Sequence, residues 1–176
     1  VVMLLLFSLI FRAVAIEFRS KQPMPWWREI WDVSFSLSSI VASFVFGVAL
    51  GNLVWGVPLG ADKEFVGTLG NLFNPYTILV GITTVALFMM HGSIYVVMKT
   101  EGEFHNKIRN WINPCIIFFI ICYATTTMAT LVYLPHMTEK LRDFPWLFVI
   151  PVLGMLAIAN IPRAVYHGRD PEAFCS

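Results

Sequence analysis

Glu17 and Lys21 stand four residues apart with the acid N-terminal to the base, so a helix running through them sets both on one face. Such a pair has two readings. It is an ordinary surface ion pair, or it is a proton entrance, where a carboxylate at the mouth of a polar path collects protons for chemistry deeper in a membrane. Arg12 lies five residues before Glu17, inside hydrophobic sequence, about 7 Å away along a helix. Its guanidinium could pair with a buried carboxylate or an anionic cofactor group, or it could snorkel to water along its own aliphatic stem. His91 is the only titratable side chain apart from tyrosine between Tyr76 and Met98. It reads either as an axial haem ligand or as a hydrogen-bonded interior histidine beside Gly92 and Ser93. Glu101, Glu103 and His105 crowd one short stretch. A metal would need them to converge on a fixed scaffold, whereas helix capping and solvation explain them without one. No phosphate-binding glycine loop, nucleophile elbow or triad occurs, so no catalytic residue and no metal ligand is assigned.

The elements that must position these groups are membrane helices. The chain has 176 residues, 57% hydrophobic and 13% charged, with a mean hydropathy of +0.71. A soluble domain carries about 25% charge. A net charge of +1 without a basic patch argues against a nucleic-acid partner. Cys115, Cys122 and Cys175 form no paired framework or CxxC, and the first two, seven apart, read as small hydrophobes on one helix face. The opening Val1-Val2-Met3-Leu4 has no charged start. It reads as the middle of a hydrophobic helix, and the chain as part of a longer one.

A span needs about 20 mostly apolar residues. Five segments are expected: Val1 to Ile16, Val33 to Trp55, Tyr76 to Met98, Pro114 to Leu134 and Phe144 to Ile161. The fold class is therefore all-α, a polytopic transmembrane helix bundle forming one membrane domain over residues 1–176. Asn74-Pro75 and Asn113-Pro114 each read as a cap followed by a first-turn proline. Pro58, Pro135 and Pro162 read as stops. Thr100 to Glu103 fits a capping box opening a short polar helix toward Trp111. Within the second span, Gly47 and Gly51 form a GxxxG that would let another helix approach closely.

Lysine and arginine alternate across the connections: Arg12, Arg19, Lys21 and Arg28; then Lys63; then Lys99, Lys107 and Arg109; then Lys140 and Arg142; then Arg163 and Arg169. The positive-inside rule puts stretches 17–32, 99–112 and 163–176 on the cytoplasmic side, resting mainly on the first three connections. Trp26, Trp27 and Trp31 flank the first basic stretch as an interfacial aromatic belt would.

Four ordered motifs carry a resemblance. Phe11-Arg-Ala-Val-Ala-Ile-Glu-Phe-Arg-Ser-Lys21, Gly47-Val-Ala-Leu-Gly-Asn-Leu-Val-Trp-Gly-Val-Pro58, Leu72-Phe-Asn-Pro-Tyr-Thr-Ile-Leu-Val-Gly81 and Met98-Lys-Thr-Glu-Gly-Glu-Phe-His105 are similar to stretches of subunit II of cytochrome bd-type quinol oxidases, including the cyanide-insensitive group. The resemblance is strong over about residues 7–110 and rests on hydropathy beyond. It implies a complex of the bacterial cytoplasmic (inner) membrane that oxidises ubiquinol or menaquinol and reduces dioxygen to water, without pumping. It implies subunit I as partner, holding haem b, haem d and the quinol site, alongside the lipid bilayer and, in some complexes, a small accessory membrane subunit. Subunit II is its pseudo-symmetric counterpart, catalytically inert alone, contributing to a cytoplasmic proton path and in some members holding a structural quinone. Carried onto this sequence, the motif's acid and lysine fall on Glu17 and Lys21, and its arginine on Arg12. The acid is glutamate where the family often has aspartate. The family's N-terminal helices, with a Gly-Phe-Asp stretch, and its last helices have no counterpart in these residues, so a piece of subunit II is expected. A secondary transporter is the alternative, disfavoured because glycine and proline cluster at span ends and no inverted repeat is visible.

Overall fold

The computed structural model describes residues 1–56, 67, 69–134, 146, 149–167 and 170–175. Seven helices are found among them: α1 (Val2–Arg19), α2 (Pro25–Trp55), α3 (Leu69–Leu72), α4 (Pro75–Lys99), α5 (Glu103–Tyr133), α6 (Val149–Tyr166) and α7 (Asp170–Cys175). No strand occurs among the described residues. The chain is an all-α polytopic membrane protein. Three helices, α2, α4 and α5, are long and apolar enough to cross a bilayer. The 18 residues of α1 include Arg12, Glu17 and Arg19, and α6 is 18 residues long. The apolar segments expected from hydropathy thus all fall on helices, with different ends.

The ends differ where proline was taken for a boundary. Pro75 does open α4, because the Asn74 side chain accepts from the Thr77 N–H at 2.9 Å. Pro114 instead lies inside α5, which starts eleven residues earlier at Glu103, and Pro162 lies inside α6. Each proline withdraws one N–H from its helix, a loss that membrane helices tolerate when neighbours satisfy the freed carbonyl. The capping box does not form either. Gly102, at φ +80°, is the N-cap of α5 without a side-chain bond, and the Thr100 hydroxyl donates to the Val96 carbonyl at 2.8 Å. A single continuous helix therefore replaces the expected short one. Stretches 17–32 and 99–112 are largely helical, with residues 20–24 and 100–102 as the connections. Pro58, Pro135 and the start of the fifth segment at Phe144 lie outside the described residues; α2 ends at Trp55 and α5 at Tyr133.

The chain forms two compact units, 1–85 and 86–176. In the first, α1 packs on α2, and α2 packs on the first part of α4. In the second, Ala86, Met90, Ile94 and Val97 form one stripe of α4, and Ile112, Cys115, Ile116, Phe119 and Cys122 one stripe of α5. Ile161, Ala164 and Val165 of α6 and Ala173 of α7 complete that core. The repeats of three and four are the signature of a helix burying one face. Cys115 and Cys122 are buried there as the small hydrophobes their spacing suggested.

Hydroxyl-bearing residues in the spans satisfy themselves. Ser38, Ser39 and Ser43 of α2, Thr84 of α4, and Thr126, Thr127 and Thr130 of α5 each donate to the carbonyl four residues back, at 2.7–2.9 Å. Without water, a hydroxyl in hydrocarbon needs such a partner.

Candidate functional site

The charged end of α1 is built by a tight turn between two helices. The Phe18 carbonyl is orphaned by the helix end, and it accepts from the Lys21 N–H at 3.1 Å and the Trp27 indole at 2.8 Å. Pro25 then starts α2, where a missing N–H costs nothing. Phe18 and Trp31 stack at 5.3 Å, and Trp27 meets Trp31 edge-on at 5.7 Å. These contacts close the elbow and bring Arg19 of α1 within reach of Asp32 of α2.

Two ion pairs form there, and they are unlike. Arg19 donates to both carboxylate oxygens of Asp32, from Nε at 2.5 Å and from Nη2 at 3.2 Å. This fork-to-fork pair joins the last turn of α1 to α2. Hydrogen bonding to Asp32, then its negative charge, raises the Arg19 pKa above the ordinary guanidinium value. By contrast, Lys21 Nζ lies 4.0 Å from Glu17 Oε1, and the two side chains are 59% and 72% exposed. The two groups come near each other, loosely and exposed, although α1 ends at Arg19 and Lys21 lies in the turn beyond it, so no helix runs through both. A pair of this kind contributes little to stability.

Arg12 sits one and a half turns further along α1. Its guanidinium carbon lies 5.0 Å from the centroid of the Phe35 ring of α2. A cation over a ring face is worth about 0.5–1 kcal/mol at an exposed site. Between them, Phe7, Ser8 and Phe11 of α1 and Ser34, Leu37 and Ser38 of α2 line a largely apolar recess of about 300 Å³.

Gly47 and Gly51 belong to the other end of α2. A Cβ on Gly47 would stand 2.8 Å from the Gly81 Cα and would overlap the Thr84 side chain. One on Gly51 would stand 3.0 Å from the Thr77 Cα. Both glycines are buried at a close crossing of α2 and α4. Next to them the buried Asn52 amide donates to the Val48 and Leu72 carbonyls, each at 2.8 Å, and the Thr77 hydroxyl donates to Leu72 at 3.0 Å.

The remaining candidates have local partners. His105 sets Nδ1 3.1 Å from the Val97 carbonyl and 3.0 Å from that of Thr100, so this nitrogen carries the proton and caps α4. Glu103 lies in the first turn of α5, where a negative charge suits the helix dipole. His91 is exposed on α4 with its ring 4.3 Å from Phe174. Among the described residues, no three of His, Cys, Asp or Glu converge on a point.

Sequence reasoning missed Asp32 and Phe35. Both face α1 across the turn, 13 residues from Arg19 and 23 from Arg12. The only signal available was the Pro23–Pro25 punctuation, which folds α2 back on α1.

A sequence model of the cytochrome bd terminal oxidase subunit II family matches residues 1–176. The chain belongs to that family. Among curated relatives, the cytochrome bd-I ubiquinol oxidase subunit 2 of Escherichia coli (strain K12) is 35% identical over 125 residues, covering 69% of this chain and 33% of the relative. The cytochrome bd ubiquinol oxidase subunit 2 of Bacillus subtilis (strain 168) is 33% identical over 172 residues, covering 97% of this chain and 49% of the relative. A probable cytochrome oxidase subunit 2 of Haemophilus influenzae is 33% identical over 110 residues, covering 60% of this chain and 29% of the relative. The chain thus spans about a third to a half of the curated subunit II relatives it matches.

Proposed function

We propose that this chain acts within subunit II of a bd-type quinol oxidase, supporting a haem-bearing subunit I, and that Glu17 and Lys21 form a cytoplasmic proton entrance. The chain is not catalytic alone. Quinol oxidation, dioxygen reduction and the haem b and haem d that perform them belong to the complex and mainly to subunit I. The complex sits in the bacterial cytoplasmic membrane, with the α1–α2 turn, the α4–α5 turn and the end of α6 facing the cytoplasm, as the distribution of lysine and arginine favours.

The observation that carries the proton reading is the division of labour at the elbow. Two separate ion pairs flank the turn, and the Arg19–Asp32 pair joins the helices. Asp32 is held by two hydrogen bonds from Arg19, which tie it to the last turn of α1. Glu17 is left exposed, 4.0 Å from a flexible ammonium group, at the edge of the membrane helix. A carboxylate in that state meets water freely, and Lys21 places a cation beside it. Arg12, deeper on the same helix, sets a fixed positive charge along the route and holds α1 to α2 through Phe35.

The test uses the complete complex. Glu17→Gln removes the carboxylate and should slow oxygen consumption by roughly tenfold or more, a floor below the ~10²–10⁴-fold that a positioned proton-transfer group contributes. Glu17→Asp keeps the carboxylate and should stay much closer to the parent. Near-native rates for both variants would take Glu17 out of the path.

A further inference from the structure

Two recesses of the second unit follow one another along α6. The first is an apolar groove of about 430 Å³ between α5 and α6, with Tyr123, Thr127 and Met128 on one wall and Met155, Ile158 and Ala159 on the other. The Thr127 hydroxyl is turned onto the Tyr123 carbonyl at 2.8 Å, so the groove shows carbon to its contents. The second recess, of about 310 Å³, is polar and lies at the end of the same helix. Asn160, Arg163, Ala164 and His167 line it, with Glu172 of α7 opposite. Met155, Ala159 and Arg163 succeed one another at i, i+4 on α6, a stripe about 12 Å long. Arg163 therefore heads the stripe that floors the groove.

Capping of α6 accounts for only part of this cluster. The His167 N–H and ring Nδ1 both reach the Arg163 carbonyl, at 3.2 Å and 2.9 Å. That satisfies the helix end and leaves His167 Nε2 for another partner. The Arg163 guanidinium is not part of the capping, and it has no ion pair among the described residues. A planar guanidinium at the end of an apolar groove suits a phosphate joined to a hydrocarbon chain.

We infer that the two recesses form one glycerophospholipid site, with an acyl chain along the α5–α6 groove and the phosphate at Arg163 and His167. The groove follows α5 from Ile120 to Leu131, about 16 Å of helix, a length that takes most of an extended acyl chain. Glu172 disfavours a bare anion in the polar recess.

Native mass spectrometry of the full-length protein in its complete complex, exchanged into phosphatidylglycerol, phosphatidylethanolamine or phosphatidylcholine, reads the site directly. The parent should retain one phospholipid that Arg163→Gln retains about tenfold less, as loss of a charge-assisted contact predicts. Arg163→Lys should fall between them. Ala159→Trp, which fills the groove and spares the charge, should also displace the lipid. Unchanged retention in Arg163→Gln, or thermal protection by inorganic phosphate that matches the lipid and survives Ala159→Trp, would each overturn the assignment. Haem content reports assembly of every variant. If Arg163→Gln does not assemble, Arg163→Lys and Ala159→Trp carry the comparison.

Discussion

The two ends of α2 are held by opposite means. At its C-terminal half there is no room: Gly47 and Gly51 bring the backbone of α4 within reach, and Asn52 ties both helices' ends through the Leu72 carbonyl. At its N-terminal end there is space and water. Charges and indoles close the elbow with α1, and Glu17, Lys21, Arg19 and Asp32 are all exposed. Lipid-embedded helices gain little from hydrophobic exclusion, so close packing is what fixes the first end. The second end is held by ion pairs and ring contacts instead of by close backbone approach. Rigidity in the membrane and openness at its edge divide along one helix.

This contrast can be broken at either end, most severely at the packed one. Gly47→Val puts a branched side chain where even a Cβ overlaps Thr84. Overpacking typically costs about 1–3 kcal/mol, so assembly and haem content of the complex should fall, whichever quinol is supplied. The Glu17 variants come next, with assembly intact and turnover reduced. Asp32→Asn should have the smallest effect. It loosens a forked pair that is about half exposed and screened by salt, so the thermal midpoint should fall only slightly, and the difference should shrink in high salt. The arginine side of that pair does not titrate under such conditions. Its raised pKa means its contribution is complete at every pH below the ordinary guanidinium value and is lost only in strong alkali.

Much of this was legible from residues alone. Long apolar runs located α2, α4 and α5, because hydrocarbon demands them whatever the tertiary contacts. Asn74-Pro75 located the start of α4, because the cap is local: Asn74 reaches a backbone N–H three residues on. Asn113-Pro114 has the same local form and failed as a boundary, since α5 had already been running from Glu103 and simply passes through. A proline ends a helix only when no neighbouring structure carries the helix past it. The Glu17–Lys21 pair was legible from its spacing, whereas the Arg19–Asp32 clamp was not. It depends on how five residues between α1 and α2 turn the chain, and no periodicity encodes that. Arg12 shows the same limit: spacing marked it as a costly cation, but only the fold shows it over Phe35.

The central claim is that the loose pair, and not the clamped one, admits protons. Time-resolved proton uptake from the cytoplasmic side, followed with a pH-sensitive dye as the reduced complex in membrane vesicles meets dioxygen, tests it most directly. The account predicts that Glu17→Gln slows uptake by about tenfold or more, while Asp32→Asn leaves it near the parent rate. Uptake that is unchanged in Glu17→Gln, or slowed more by Asp32→Asn, would contradict it.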